Sequence, residues 1–378
     1  MLMQAGEYET DRVDRDSPRF PGRRRGAQMI KLLIVDDSAL MRKYLRGIFE
    51  SEGGFEALTA RNGREALAQI EQYDPDVVTL DVNMPEMDGL TCLSEIMANS
   101  PRPVVMVSSI TSKGALVTLE ALELGAVDFV EKPGGTVSLN LETVRGPLIA
   151  KIRAAARAKP RRARTVLQRV RRATQVSARP RHSASTDLVP GIVVIGVSTG
   201  GPRTLEDILP ELSADFPWPV IVAQHMPSAF TASFAARLDG ICQLNVVEVS
   251  GPMPLKQGQI YIGRGNADVV VDTRLGRWIV DSVAEEADYL WHPSVDLLVK
   301  SAMRVAGATH LVAVLLTGMG TDGAEAMTVL KRAGGRTIAE HESSAIVFGM
   351  PAELIRLAGA DRILPSNKIA DQLTSWIK

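Results

Sequence analysis

Residues 191–197, Gly191-Ile-Val-Val-Ile-Gly-Val197, form a short apolar run that ends directly at Ser198. A run of this length, rich in β-branched residues, is typical of a strand buried on both faces of a parallel sheet. The pattern recurs where residues 219–224 end at His225 and residues 311–316 run into a loop containing Asp322. Carboxyl ends of parallel strands lie at one edge of a sheet, so the runs predict an α/β domain with these three side chains at that edge.

The N-terminal half carries a second set of apolar runs that alternate with stretches of helical periodicity. The predicted strands cover residues 31–35, 76–80, 103–107 and 126–130. The predicted helices cover residues 39–50, 63–72, 89–98 and 114–124. Because strands alternate with helices, this half is predicted to be a separate doubly wound α/β domain.

The composition narrows the class of protein. The 378 residues suffice for two or three domains, and 45% of them are hydrophobic. The formal net charge of −1 argues against a general nucleic-acid binder. Cys92 and Cys242 have neither metal-ligand spacing nor a disulfide framework, which favours a reducing cytoplasm. No apolar run approaches the roughly 20 residues of a membrane span, so membrane insertion is not expected.

Two segments lack the pattern of a folded domain. Residues 1–29 are polar and rich in Arg, Asp and Pro, and are expected to be a disordered extension or to precede a true start at Met29. Residues 145–181 contain 13 Lys or Arg and no acidic residue. We expect a solvated basic linker at residues 150–187, with binding to an anionic partner as the alternative. The folded domains are then predicted at residues 30–149 and 188–378.

Acidic side chains follow the first two predicted strands of the N-terminal domain. Asp36 and Asp37 end the first strand, and Asp81 ends the second. Strand-end aspartates often only cap the next helix. Three converging carboxylates, however, repel one another unless a cation holds them, and oxygen-only ligands favour Mg²⁺. With Ser108 and Lys132 at neighbouring strand ends, Asp81 is a candidate acceptor of a phosphoryl group.

This N-terminal set resembles the receiver domain of two-component response regulators. The matching stretches are Val35-Asp-Asp-Ser38, Asp81-Val-Asn-Met-Pro-Glu-Met-Asp-Gly-Leu90, Val107-Ser-Ser109 and Glu131-Lys-Pro133. The resemblance implies a flavodoxin-like fold and phosphorylation of Asp81 by a histidine kinase. It implies Mg²⁺ held by Asp36, Asp37, the Asp81 carboxylate and the backbone carbonyl of Asn83. It also implies that Lys132 pairs with the phosphate, that Ser108 hydrogen-bonds it, and that Phe129 is the aromatic switch residue.

The C-terminal half carries a candidate nucleophile in Gly196-Val-Ser-Thr-Gly200, which fits a nucleophile elbow. A glycine-rich turn of this kind could also cradle a phosphate, but no P-loop lysine follows. His225 is the candidate base, with His292 and His341 as competitors, and Asp322 is the candidate acid. The chain order Ser, His, Asp differs from that of α/β-hydrolases, although the chemistry can be the same.

Longer motifs around these residues resemble the catalytic domain of chemotaxis protein-glutamate methylesterases, the CheB family. They are Gly196-Val-Ser-Thr-Gly-Gly-Pro202, Ala223-Gln-His-Met-Pro227, Pro293-Ser-Val-Asp296, Leu316-Thr-Gly-Met-Gly-Thr-Asp-Gly-Ala324 and Ser343-Ser-Ala-Ile-Val-Phe-Gly-Met-Pro351. The resemblance implies a Ser198, His225 and Asp322 triad, an oxyanion donor at the Met319 backbone N–H, and Thr199 close to the reacting centre. His341 departs from the family pattern, in which an Asp is expected, and puts only a local loop contact in doubt.

The resemblance implies demethylation of glutamate methyl esters and deamidation of glutamines on cytoplasmic chemoreceptor helices, controlled by the receiver. It implies a histidine kinase and methyl-accepting chemoreceptors as partners, and no cofactor in the hydrolase site. Two alternatives remain: a receiver-regulated esterase or amidase for another substrate, and a phosphorylation-controlled binding module without activity. A DNA-binding regulator is disfavoured because nothing after Gly191 reads as a helix-turn-helix.

Overall fold

The computed structural model describes residues 29–108, 112–132, 141–158 and 189–377. The predicted N-terminal extension and most of the predicted basic linker lie outside these residues. The described chain forms two α/β units that pack against each other, each built on a parallel sheet.

The described residues of the N-terminal unit form five strands and five helices. Its strands are β1 (Ile30–Val35), β2 (Phe55–Ala60), β3 (Val77–Asp81), β4 (Val104–Ser108) and β5 (Asp128–Glu131). Its helices are α1 (Ala39–Glu52), α2 (Gly63–Tyr73), α3 (Gly89–Asn99), α4 (Ser112–Leu124) and α5 (Leu141–Ala155). The sheet order is β2-β1-β3-β4-β5, and every pair is parallel. This is the flavodoxin-like order, which reverses direction between β1 and β3.

The C-terminal unit is built on a seven-stranded parallel sheet of order β15-β14-β13-β6-β7-β10-β8, with a three-stranded antiparallel sheet, β11-β12-β9, beside it. Its strands are β6 (Ile192–Val197), β7 (Val220–Gln224), β8 (Asn245–Val249), β9 (Met253–Pro254), β10 (Gln259–Gly263), β11 (Asp268–Arg274), β12 (Arg277–Val283), β13 (Leu311–Leu315), β14 (Arg336–Glu340) and β15 (Arg362–Leu364). Its helices are α6 (Gly201–Ile208), α7 (Ser228–Asp239), α8 (Val295–Ala306), α9 (Ala324–Arg332), α10 (Met350–Arg356) and α11 (Ser366–Trp376).

The strands that bear the candidate triad are neighbours in this sheet. β13 pairs with β6, and β6 pairs with β7. All residues of β6, β7 and β13 are buried, which accounts for their continuous apolar runs. Because these strands are adjacent and parallel, Ser198, His225 and the loop after β13 lie at one edge of the sheet.

A continuous apolar core joins the two units. It includes Leu119 and Phe129 from the N-terminal unit and Phe230 and Phe234 from the C-terminal unit. Helix α4 packs against helix α7 in the same region. The face of the N-terminal unit formed by α4 and β5 is therefore covered by the C-terminal unit.

The α/β fold class predicted from the sequence is confirmed in both units. Two features were not predicted: the edge strand β2 and the antiparallel sheet. Helix α5 ends at Ala155. No helix among the residues described is both long enough and apolar enough to cross a membrane.

Candidate active site and regulatory interface

Ser198 lies on a tight turn between β6 and α6. Its backbone N–H donates to the Thr317 carbonyl at 3.0 Å, and its own carbonyl accepts from the Gly201 N–H at 2.8 Å. Gly200 has a φ of +78°, in the left-handed region that favours glycine. A Cβ on Gly318 would lie 2.7 Å from the Ser198 Cβ, so glycine there lets the loop after β13 approach the serine closely.

His225 follows β7, and its imidazole is almost fully buried. Nε2 lies 2.9 Å from Asp322 Oδ2. Nδ1 is buried and makes no hydrogen bond to any part of the chain that the structure describes. If Asp322 holds the ring proton on Nε2, Nδ1 is left as the basic nitrogen that can accept a proton from a nucleophile.

Asp322 is held by the beginning of helix α8. Its carboxylate accepts from the N–H of Val295 at 2.7 Å, the N–H of Asp296 at 3.0 Å and the Ser294 hydroxyl at 3.2 Å. Burial alone would raise the pKa of this carboxyl, but the hydrogen bond and charge of His225 and the backbone N–H groups outweigh it and lower the pKa. An ionised Asp322 at neutral pH suits the orientation of His225.

The loop after β13 depends on a buried carboxylate that the sequence did not indicate. Glu340 is fully buried, accepts from the Thr317 N–H at 2.8 Å and accepts from the Ser344 hydroxyl at 2.8 Å. The Thr317 hydroxyl in turn donates to the Thr199 carbonyl at 2.9 Å. These contacts fix the loop beside Ser198.

The other histidines are placed differently. His292 Nδ1 lies 3.0 Å from the fully buried Asp268, and His341 is exposed with Nδ1 2.8 Å from the Ser343 hydroxyl. His310 ends a 3₁₀ turn before β13, at the opposite edge of the sheet. Of the candidate bases, the structure brings only His225 together with Asp322. His341, whose departure from the family pattern put only a local loop contact in doubt, contacts Ser343 within its own loop.

A cavity of about 300 Å³ lies over the triad, with walls from both units. Ser198, Thr199, His225, Trp291 and Met319 line it from the C-terminal unit. From the N-terminal unit it is lined by Phe129, Val130, Glu131, Pro147, Leu148 and Lys151. The N-terminal unit therefore restricts access to the triad in this structure.

Among the described residues of the N-terminal unit, strand β5 contacts the active site directly. Asp128 Oδ2 accepts from the Thr199 hydroxyl at 2.6 Å, next to the candidate nucleophile. Asp128 Oδ1 pairs with Lys151 at 3.0 Å. The contact between Asp128 and Thr199 was not predicted from the sequence. The one signal for it was that Asp128 is a carboxylate inside residues 126–130, an apolar run predicted to be a buried strand.

Phe129 and Arg237 make further contacts between the two units. The Phe129 ring is buried, with its centroid 4.4 Å from that of Phe230. Arg237 on α7 pairs with Glu123 on α4, and with Glu206 at 2.6 Å. The residue predicted as an aromatic switch thus lies in the contact between the two units.

The acidic cluster lies at the carboxyl ends of β1 and β3, and Lys132, which directly follows β5, reaches it. One ligand atom each from Asp36, Asp37 and Asp81 lies within 4.8 Å of the others. Lys132 Nζ is 2.8 Å from Asp36 Oδ2 and 2.7 Å from Asp81 Oδ2. Three carboxylates against one ammonium leave excess negative charge, and oxygen-only donors match Mg²⁺, so the residues fit this ion.

Burial and neighbouring charges both shift the pKa values of Asp81 and Lys132 in this cluster. It raises the pKa of Asp81, and the neighbouring Asp36 adds to that effect, although Lys132 opposes it. Burial would lower the pKa of Lys132, but its hydrogen bonds to Asp36 and Asp81 outweigh burial and raise it. Ser108 is buried at the end of β4, beside β5, and Asn83 directs its N–H toward Asp81 Oδ1 at 3.4 Å.

Comparisons with known proteins bear on both units. Residues 32–142 match the family described as response regulator receiver domain, and residues 193–373 match the family described as CheB methylesterase. A solved structure, the CheB methylesterase catalytic domain of Thermotoga maritima, is 37% identical, covering 50% of this chain and 100% of that one, with a TM-score of 0.49.

Relatives that match almost the whole chain include the following two. A Rhodospirillum rubrum protein named protein-glutamate methylesterase/protein-glutamine glutaminase 3 is 56% identical, covering 92% of this chain and 96% of its own. A Rhodopseudomonas palustris protein, protein-glutamate methylesterase/protein-glutamine glutaminase 2, is 53% identical, covering 92% of this chain and 98% of its own. The family expected from the motifs is confirmed: this chain, a receiver domain followed by a methylesterase domain, belongs to the CheB family.

Proposed function

We propose that this chain is a phosphorylation-activated hydrolase that demethylates glutamate methyl esters and deamidates glutamines on chemoreceptors. The observation that carries the proposal is the buried His225–Asp322 pair beside Ser198, under a receiver whose β5 contacts Thr199. The names of the close relatives support the reaction.

In the proposed reaction, the Ser198 Oγ attacks the carbonyl carbon of the ester while His225 Nδ1 takes the serine proton. Asp322 keeps the other ring proton on Nε2 and stabilises the imidazolium that forms. The C–O bond breaks as His225 returns the proton to the leaving methoxide, so methanol departs from an acyl-enzyme. Water then attacks the acyl-enzyme by the same route, releasing the carboxylate and restoring Ser198. A glutamine side chain reacts in the same way and releases ammonia.

We assign the oxyanion of the tetrahedral intermediate to the backbone N–H of Met319. Met319 lines the cavity with Ser198, in a loop that Glu340 and Thr317 hold close to the serine. Thr199 directly follows the nucleophile and lines the same cavity, so its hydroxyl lies near the reacting centre. A preorganised donor of this kind is typically the largest single contribution to acyl transfer.

Asp81 is the proposed phosphoryl acceptor, and a chemotaxis histidine kinase the proposed donor. Asp36, Asp37, the Asp81 carboxylate and the Asn83 carbonyl would hold Mg²⁺, which supplies charge neutralisation for the transfer. Lys132 and Ser108 would bind the phosphoryl oxygens. Because Lys132 already contacts Asp81 directly, a new phosphate must displace or reorient this lysine, which immediately follows β5.

The same strand links phosphorylation to the active site. β5 carries Asp128 and Phe129, which contact Thr199 and Phe230. A change at Lys132 is therefore transmitted along a single short strand to the contacts that cover the cavity. We propose that phosphorylation weakens these contacts and opens the site, a two-state interface biased by a local charge change.

We propose a receiver domain at residues 30–149, a basic linker at 150–187 whose first residues continue helix α5 to Ala155, and a catalytic domain at 188–378. We place the enzyme in the cytoplasm, where the kinase and the receptor helices would meet it.

A methanol-release assay on methylated receptors tests this function. We expect wild type to release methanol slowly without a small phosphodonor and faster with one. Ser198→Ala should release none under either condition, and Asp81→Asn should keep the slow rate without activation. Hydrolysis of simple esters without receptor demethylation would instead indicate another substrate, and no release by wild type would indicate a binding module.

A further inference from the structure

The indole of Trp291 lies flat against the imidazole of His225. The ring centroids are 5.3 Å apart, and the ring planes differ by only 10°. Trp291 is half-buried and lines the cavity over the triad. An aromatic face in this position covers one side of the proposed base.

A buried carboxylate fixes the segment that carries Trp291. Asp268, which is 0% exposed, accepts from the N–H groups of Glu286 at 2.9 Å and Ser294 at 2.7 Å. His292 Nδ1 lies 3.0 Å from the same carboxylate. Since these contacts lie on both sides of Trp291 in the chain, the backbone that carries the indole is held in place by the fold.

The same short segment also holds Asp322. Ser294 and the first two residues of α8 supply all three of the donors to Asp322 other than His225. Residues 291–296 therefore contact both the ring and the carboxylate of the proposed base pair. A shift of this segment would move the two partners together.

His225 needs such support because a single hydrogen bond orients its ring. The bond from Nε2 to Asp322 does not by itself set the plane of the ring, and Nδ1 makes no bond to a described residue, so packing must limit rotation of the ring. A parallel indole restricts this rotation and keeps Nδ1 directed along a fixed line. The indole face also attracts a cation, so it favours the imidazolium that forms when His225 takes the serine proton.

We propose that Trp291 is a positioning residue for catalysis, which fixes the plane of the His225 ring and stabilises its cationic form in the transition state. This inference rests on the proposed function, because the imidazolium forms only if His225 acts as a base. Trp291 acts through His225 and has no bond-making role of its own.

The test measures methanol release from methylated receptors by the full-length protein with a saturating phosphodonor. We compare Trp291→Leu, Trp291→Phe and the control Leu290→Ala, whose side chain is 84% exposed in the wild type. Trp291→Leu should lower kcat about five-fold, the equivalent of about 1 kcal/mol, with KM changed by less than about two-fold. Trp291→Phe, which keeps an aromatic face, should recover most of kcat, and Leu290→Ala should match wild type.

Three outcomes would overturn the inference. If Trp291→Leu has the kcat of wild type, the stacking of Trp291 on His225 does not contribute to catalysis. A raised KM with unchanged kcat would make Trp291 a substrate contact. Equal loss in the Phe and Leu variants, at an unchanged thermal midpoint, would exclude the aromatic face as the cause. If the wild-type protein itself releases no methanol, the proposed function is wrong. This result differs from the three outcomes above, in all of which wild type is active.

Discussion

Asp322 illustrates how burial and partners act on a single side chain. Its carboxylate is buried, which by itself would raise its pKa. Four donors nevertheless surround it, and together with the charge of His225 they lower the pKa. A carboxylate with this many donors stabilises the folded state as well as orienting the base. The catalytic and structural contributions of this residue can be separated by pH.

The stability contribution of Asp322 should disappear in acid. Because its folded-state pKa lies below the ordinary value of about 4, the contribution is complete above that value and is lost as the pH falls through the lower folded-state pKa. We expect Asp322→Asn to lower the free energy of unfolding at pH 7 by about 1–3 kcal/mol, observed as a lower thermal midpoint, and to lower it by less at pH 3. Asp371→Asn, at a side chain that is 77% exposed, is the control. An equal deficit at both pH values would contradict this account.

At the scale of elements, β5 joins the two sites of the molecule. Its four residues carry the contacts to Thr199 and Phe230, and Lys132 follows it directly. Helix α5 adds Lys151, which pairs with Asp128 and lies 5.3 Å from the Phe129 ring centroid. A short strand of this kind can couple two sites because a shift at one end displaces the other.

Removal of the Asp128 carboxylate should activate the unphosphorylated enzyme. A hydrogen bond to a charged group contributes about 1.5 kcal/mol, so Asp128→Ala should raise the rate without phosphodonor about ten-fold. The fully phosphorylated rate should stay near that of wild type. Glu56→Ala, on the distant edge strand β2, serves as the control and should change neither rate. An unchanged rate in Asp128→Ala would show that this bond does not hold the receiver in place.

The elements show what sequence patterns can and cannot predict. Fully buried parallel strands such as β6 and β13 carry continuous apolar runs and were predicted to within a residue or two. Strand β2 was missed because four of its six residues are partly or fully exposed at the sheet edge, which breaks the run. The antiparallel strands β11 and β12 were missed for a similar reason, since few of their residues are buried.

The triad residues were predicted from strand-end positions and motifs, and the structure brings His225 and Asp322 together; their roles remain predictions. Trp291 and Asp128 could not be predicted in the same way. Neither belongs to a motif with a chemical signature, and their importance depends on contacts between segments far apart in the chain. The contact between Asp128 and Thr199 joins residues 71 positions apart.

At the scale of the whole molecule, the two domains share an apolar core and a charged pair at its border. Arg237 lies between Glu123 of the receiver and Glu206 of its own domain, and burial lowers its pKa. The pair lies on α4 and α7, whereas the Asp128–Thr199 contact lies on β5. The closed state is therefore held at two separate places.

A double-mutant cycle should reveal this second contact. Glu123→Ala and Arg237→Ala should each raise the unphosphorylated rate, and the double variant should be no faster than the faster single variant, because both changes remove the same pair. Combining Arg237→Ala with Asp128→Ala should instead give effects that multiply. Rates that multiply in the Glu123 and Arg237 cycle would show that the two side chains act independently.

The burial of Phe129 between the domains has a thermodynamic consequence for the kinase. If phosphorylation disfavours docking, docking must disfavour the phosphorylated form to the same extent, since the coupling free energy is reciprocal. The closed enzyme therefore resists its own activation, and the strength of the interface sets the phosphodonor concentration required. Arg237→Ala should reach half-maximal activation at a lower phosphodonor concentration than wild type. The contact between the two domains would then determine how much phosphodonor the enzyme requires for activation. Substitutions in that contact, remote from both Asp81 and Ser198, would change this requirement.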